Sequence, residues 1–304
     1  MSADTASRGE TARPATGGKP GPLALIAGSG DLPGILAEEI TRCGRSVFVV
    51  SVDGETDCDL SAYPGTRLPI GAAGRLKSAL KAAGCEEVLM TGNFRRPRFS
   101  DIEWTMGTVK ALSNIMRLKI GGDDRVVNGV VQIFEAEGFR VVGPREAAPG
   151  LVAPTGPVGR KTPSRDARAD IDYGRKAIAT MGPLDIGQAV VVLNERVVAV
   201  EAAEGTNAMI GRCADLRRNG RIADEAPSGV VVKAAKPGQE MRLDMPVVGT
   251  QTIAAAAEAG LAGIAIEAGN VLLPDIDALR RAADAADLFL IGIDAADPAP
   301  ADIR

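Results

Sequence analysis

Residues 23–53 constrain the fold more tightly than any other stretch of the chain. Leu23–Ala27 is an unbroken apolar run, Gly28-Ser29-Gly30-Asp31-Leu32-Pro33-Gly34 is too glycine-rich for strand, and residues 35–42 have helical spacing. Residues 46–52 form a second apolar run that ends at Asp53. Short apolar runs without polar alternation predict strands buried on both faces, and a helix between two of them returns the chain so that they lie parallel. The chain therefore opens as a βαβ unit of a doubly wound α/β domain. Its glycines fall as G-x-G-x-x-x-G, and Asp53 stands where a ribose-binding acid would sit. One reading is thus a Rossmann-type NAD(P)-dependent oxidoreductase using Gly28, Gly30 and Asp53. The same turn can cradle another pyrophosphate, or none.

The pattern continues with a helix over 75–83 and a strand at Glu87–Thr91, followed by Gly92-Asn93-Phe94-Arg95-Arg96-Pro97 at its carboxyl end. Ligands bind at that edge of an open parallel sheet. Asn93 reads as a turn residue or a ligand contact, and Arg95, Arg96 and Arg98 as a ligand-facing cluster or a solvated loop. A helix is expected over 106–116. In Gly121-Gly122-Asp123-Asp124 one aspartate can cap the next helix, over 125–137, which leaves the other for a ligand. A strand at 139–142 closes the domain.

Residues 144–163 shift to Pro, Gly, Ala and Thr with little periodicity, as a linker does. The expected organisation is a disordered lead over 1–20, a first domain over 21–143, a linker over 144–164 and a second α/β domain over 165–304. That second domain starts with an amphipathic helix at Arg165–Met181. Two apolar strands follow, joined by a tight Asn194-Glu195 turn, and a helix begins at Gly205-Thr206. Glu201 and Glu204 lie where the second strand meets this helix. A phosphate there would be attracted by the amides and repelled by the carboxylates, whereas a divalent cation between them reconciles both. Alternatively, Glu204 only interacts with the helix dipole. Lys233, Lys236 and Arg242 stand close in sequence to Asp244, which fits a charged ligand or an ordinary lysine-decorated surface.

The chain of 304 residues contains no histidine. That excludes imidazole-based Ser or Cys nucleophiles, His-ligated zinc and histidine-built two-metal centres, so a metal held by side chains would be oxygen-bound: magnesium, manganese or calcium. The four cysteines are widely spaced with no CxxC pair, as reduced thiols of a cytosolic protein would be. Aromatics at 3% and a net charge of -4 argue against nucleic acid as a partner. No apolar run is long enough to span a bilayer, so membrane contact would be peripheral.

Six blocks in order carry a resemblance over nearly the whole chain: IAGSGDLP, TGNFRRP, GGDD, DIGQAVVV with EAAEGTNAMI, VVVKAAKPGQEMRLDMPVVGTQTI, and EAGN. Together they resemble the UDP-2,3-diacylglucosamine pyrophosphatases of the LpxI type, from lipid A biosynthesis. The resemblance implies a cytoplasmic, magnesium-dependent hydrolase, peripheral at the inner membrane. It would split UDP-2,3-diacylglucosamine into UMP and 2,3-diacylglucosamine 1-phosphate (lipid X) by attack of water on the β-phosphorus. It also implies an N-terminal Rossmann-like domain, a C-terminal α/β catalytic domain, and a substrate held between them.

Carried over by position, the resemblance places Gly28, Ser29, Gly30, Leu32, Asn93 and Asp124 along the substrate cleft. Gln188, Thr206, Lys236 and Gln239 join them as substrate contacts of the second domain. Glu204, Lys233 and Asp244 are expected in catalysis, with Lys233 or Lys236 offsetting phosphate charge, and Asp123, Glu204 and Asp244 at magnesium. One position departs. Where the family reads EGTD this chain reads EGTN, so Asn207 replaces an expected catalytic carboxylate; an amide can accept a hydrogen bond but cannot take a proton. Asn207 is open to three accounts: a natural variant with a shifted base, a weakened enzyme, or an engineered inactive form. A non-catalytic UDP-lipid binding protein on the same fold is the competing expectation.

Overall fold

The computed structural model describes residues 21–94, 123–222 and 227–294, with side chains from residue 128 onward in the second segment. The expected lead over 1–20, the helix over 106–116, and Arg95, Arg96 and Arg98 fall outside the described residues. The first domain runs β1 (Leu23–Ala27), α1 (Leu32–Arg42), β2 (Val47–Val52), β3 (Gly65–Leu68), α2 (Ala73–Ala82), β4 (Glu87–Thr91), α3 (Asp123–Ala136) and β5 (Arg140–Val141). Its sheet has the order β3-β2-β1-β4-β5 with every pairing parallel. The chain builds outward from β1 to β3, then returns to β4 on the other side, so the switch point lies between β1 and β4. Leu36, Ala37 and Ile40 of α1 pack on one face against Leu23, Leu25 and Val49. Leu80 of α2 and Phe134 of α3 cover the other, against Ala24, Ile26 and Val88.

The stretch over 144–164 that connects the two domains carries a short helix α4 (Pro144–Ala147), a 3-10 turn (Pro149–Leu151) and a strand β6 (Gly156–Pro157) that joins the second sheet. The sequence continues with α5 (Arg165–Met181), β7 (Ala189–Leu193), β8 (Arg196–Val200), α6 (Thr206–Arg218), β9 (Val230–Lys233), α7 (Thr250–Glu258), β10 (Gly263–Glu267), α8 (Ile276–Ala285) and β11 (Phe289–Ile293). The order is β6-β11-β10-β9-β7-β8: three parallel strands, β9 to β11, flanked by antiparallel neighbours.

Side chains alternate across this sheet as the strand period requires. Val190 and Val192 face α5, with Ile171 and Ile178. Ala189 and Val191 face α6 to α8, with Met209, Ile253 and Leu279. The β7–β8 turn holds Asn194 at φ 53 and Glu195 at φ 55, the left-handed pair of a tight hairpin, which is strained for glutamate. Asp170 of α5, 4% exposed, compensates: its Oδ1 accepts the Glu195 N–H at 2.6 Å.

The two domains share apolar packing. The α1 face of the first core continues through Ala148 and Leu151 to Met245 and Leu272 of the second domain. The segment after β9 crosses to the first domain, where Arg242 pairs with Glu135 of α3 at 2.9 Å. A Cβ on Gly143, just past β5, would lie 2.9 Å from the Arg242 Cα.

Gly174 sets how closely α5 seats on the sheet, since a Cβ there would lie 2.5 Å from Val232 Cγ2 and 3.2 Å from Val192 Cγ2. Gly174→Val should cost about 1–3 kcal/mol through overpacking, read as a lowered urea midpoint. An unchanged midpoint would contradict this seating.

Candidate functional site

Three strand ends meet at one edge of the second sheet. Lys233 ends β9, and because β7 runs antiparallel, its first residue Ala189 lies opposite Lys233. The Ala234 N–H donates to the Gln188 carbonyl at 3.0 Å, and the Glu201 N–H, just past β8, donates to the Ala189 carbonyl at 2.9 Å. On this edge Lys233 Nζ donates to Thr206 Oγ1 at 2.7 Å, and the Thr206 hydroxyl donates to Glu201 Oε1 at 2.6 Å. The Gln188 N–H reaches Glu201 Oε2 at 3.3 Å. Lys233 is 5% exposed and Glu201 7%. Burial pushes the Lys233 ammonium below its ordinary pKa, against the opposing pull of the Glu201 and Asp244 charges.

Gln239, also buried, ties a second layer to this one. Its Nε2 donates to Gln188 Oε1 at 3.0 Å and to Asp244 Oδ2 at 2.7 Å, and its Oε1 accepts the Lys236 N–H at 2.9 Å. The Lys236 ammonium pairs with Asp185 at the rim. Glu240 grips Arg242 through Oε1–Nε at 2.7 Å and Oε2–Nη2 at 2.6 Å, and the Arg242 hydrogen bond holds its carboxyl below the usual range.

Two helices begin here. Gly205 precedes α6 and Gly249 precedes α7, and neither helix has a side-chain cap. Thr252 Oγ1 donates to Asn207 Oδ1 at 2.9 Å, which locks the two first turns together. Uncapped first turns present unsatisfied N–H groups and partial positive charge. Two of them beside a buried ammonium suit a diphosphate better than a neutral ligand.

The expected acidic centre is distributed differently. Glu204 pairs with Arg212 at 2.6 Å, while Asp244 is engaged by Gln239 and Glu201 by Thr206 and Gln188. Asp123 and Asp124 begin α3, and their side chains lie outside those described. Among the described residues no three His, Cys, Asp or Glu gather to hold a metal. Of the expected magnesium ligands, Glu204 and Asp244 are thus held by other partners, and the Asp123 side chain lies outside those described.

In the first domain, Ser29 and Asn93 exchange backbone hydrogen bonds of 2.9 Å in both directions, and the Ser29 hydroxyl donates to the Asn93 carbonyl at 3.1 Å. A Cβ on Gly28 would lie 2.5 Å from that carbonyl oxygen, so glycine is required for the approach. This bridge closes the carboxyl ends of β1 and β4 at the switch point. The Gly30 N–H is taken by Asp57 Oδ1 at 2.7 Å. In a dinucleotide site that amide would face pyrophosphate, which an aspartate repels. Asp53 meets Arg67 at 3.8 Å, and Leu32 packs against the α1 core.

The structure thus gathers Gln188, Thr206, Asn207, Lys233, Gln239 and Asp244 in one place, with Lys236 at its rim. Gly28, Ser29, Gly30 and Asn93 form a separate group on the first domain. Sequence reasoning underrated Glu201 and missed Thr252 and Asp57. The repeated Gly-Thr doublet at 205–206 and 249–250 was the available signal for Thr252.

A parallel doubly wound domain packed on a mixed-sheet domain, with a buried lysine and two helix starts at one sheet edge, defines a two-domain α/β protein. Residues 22–151 match the family model of the LpxI N-terminal domain and residues 154–291 that of the LpxI C-terminal domain. The chain belongs to the LpxI family. It is 42% identical over 272 residues, 90% of this chain and 97% of the relative, to UDP-2,3-diacylglucosamine pyrophosphatase LpxI of Caulobacter vibrioides.

The depressed Lys233 pKa has a consequence for stability. Between its folded and unfolded values the unfolded chain binds more protons, so stability rises with pH in the range below the ordinary lysine value of 10.5. Lys233→Met should flatten that rise in urea unfolding measured across alkaline pH. Equal slopes for both proteins would contradict the assignment.

Proposed function

We propose that this chain hydrolyses UDP-2,3-diacylglucosamine to UMP and 2,3-diacylglucosamine 1-phosphate (lipid X), a step of lipid A biosynthesis. The observation that carries the reading is family membership across both domains, with the Caulobacter pyrophosphatase as a relative over nearly its full length. The charge arrangement supports it. A diphosphate brings concentrated negative charge, and the Lys233 ammonium with the first turns of α6 and α7 offsets it. Thr206, between Lys233 and Glu201, holds both side chains in place.

In this reading water attacks the β-phosphorus, the bond from that phosphorus to the bridging oxygen breaks, and UMP departs with the oxygen. The water's proton needs an acceptor. Asn207 cannot take it, and Glu201 is buried under two hydrogen bonds. Asp244 is half-buried and close enough to act on the Lys233 charge, so it is the better acceptor. The Ser29–Asn93 edge and the Gly28–Gly30 turn line the cleft for the rest of the substrate.

Magnesium enters through the family resemblance, and no step above passes through it. The resemblance also supports a cytoplasmic location with peripheral contact at the inner membrane. No described helix is long and apolar enough to cross a membrane. The alternative, a UDP-lipid binding protein without turnover, draws on Asn207. The NAD(P) reading has lost its support with Asp57 on the Gly30 amide.

Purified protein supplied with UDP-2,3-diacylglucosamine and magnesium should release UMP, and Lys233→Met should lower kcat about 10²–10³-fold. Asn207→Asp should not lower the rate. Chelation should suppress UMP release and added magnesium restore it; full activity in chelator would remove the metal. Bound, intact substrate with no UMP from either wild type or Asn207→Asp would favour the binding protein.

A further inference from the structure

We propose that Leu184 and Ile186 are the point at which the protein inserts into the surface of a lipid bilayer, an inference that rests on the function proposed above. Among the described residues these are the exposed large hydrophobic side chains, Leu184 at 72% and Ile186 at 38%. They stand two residues apart in an exposed run, Pro183 to Ile186, between α5 and β7. A lone exposed leucine is ordinary, but a pair on a rigid mount beside a site for a diacyl substrate is not.

The mount is rigid for stated reasons. Asp185 between them is left-handed at φ 58 and pairs with Lys236, whose side chain is only 10% exposed. Gly182 lies tightly against the Pro237 ring, and Gly187, at φ 52, lies so close to the Glu201 carbonyl that a Cβ has no room. The next residue, Gln188, bonds Gln239 and Glu201. The apolar tip is therefore fixed relative to the Lys233 edge.

Two side chains cannot supply the roughly 800 Å² per partner of a stable protein interface. A bilayer surface needs no such area, since a few apolar side chains entering the acyl boundary already bias partition. A substrate with two acyl chains resides in that surface, so a tip fixed to the site would bring the Lys233 edge to the headgroup level.

The test is sedimentation of the full chain with vesicles of phosphatidylethanolamine and phosphatidylglycerol, beside UMP release from a water-soluble, short-chain UDP-2,3-diacylglucosamine. Leu184→Ser/Ile186→Ser should lose about ten- to hundredfold in vesicle partition, with short-chain turnover unchanged. Equal partition of both proteins, or none by wild type, overturns the proposal. So does a change of oligomeric state in the variant, which would give the patch to a second copy. Absence of UMP from wild type with the short-chain compound counts against the proposed function instead, and the sedimentation result still decides the surface.

Discussion

An ammonium group as secluded as that of Lys233 survives only where charge and hydrogen bonds are supplied around it. The topology of the second sheet supplies them. In a purely parallel sheet the neighbour of β9 would bring another carboxyl end to this edge. Here the antiparallel hairpin brings the amino end of β7, with Gln188, and the carboxyl end of β8, with Glu201. The first turn of α6 follows within a few residues and adds the Thr206 hydroxyl between the two charges. Removing any one of the three would leave a buried partner unsatisfied, which costs more than a typical hydrogen bond contributes.

The position of this edge relative to the first domain is set by packing more than by charge. Arg242 joins the domains through Glu135, but both side chains are about half exposed, and such pairs contribute at most about 1 kcal/mol. Met245 is 7% exposed within the core of the first domain, and burying a side chain of that size is worth about 1.5–3 kcal/mol. Leu272 adds a second buried anchor, and Gly143 admits the Arg242 backbone. Gln239 lies between these anchors and Lys233, so the segment that docks the domains also carries the hydrogen bonds of the site.

Bounded apolar runs made the fold readable. β1, β4, β7 and α5 lie where their sequence patterns place them, because each is buried or amphipathic and stops at turn residues. β3 escaped notice because Gly65–Leu68 is an edge strand with only Leu68 buried. β6 is a Gly-Pro pair, a composition that strands admit only at edges, so its segment read as a linker. The site was half legible. Lys233, Thr206 and Gln239 could be named from their blocks, but Glu201 and Glu204 looked equivalent in sequence. Only strand pairing separates them: Glu201 is held under the Gln188 N–H, while Glu204 turns outward to Arg212. Asp57 sits in a polar loop with nothing local to mark it, and its contact with Gly30 spans 27 residues.

Asn207 joins two helix starts. Its Oδ1 accepts the Thr252 hydroxyl, a role that an aspartate oxygen would fill equally well, so the lock between α6 and α7 does not depend on charge at this position. What the amide changes is the potential. A carboxylate where two uncapped helix starts meet would cancel part of their positive field and repel an incoming diphosphate. The neutral amide leaves that field to the ligand and gives up a proton acceptor. A diphosphate and a proton acceptor thus make opposite demands on the charge of residue 207, and in the reading proposed above the proton goes to Asp244 instead.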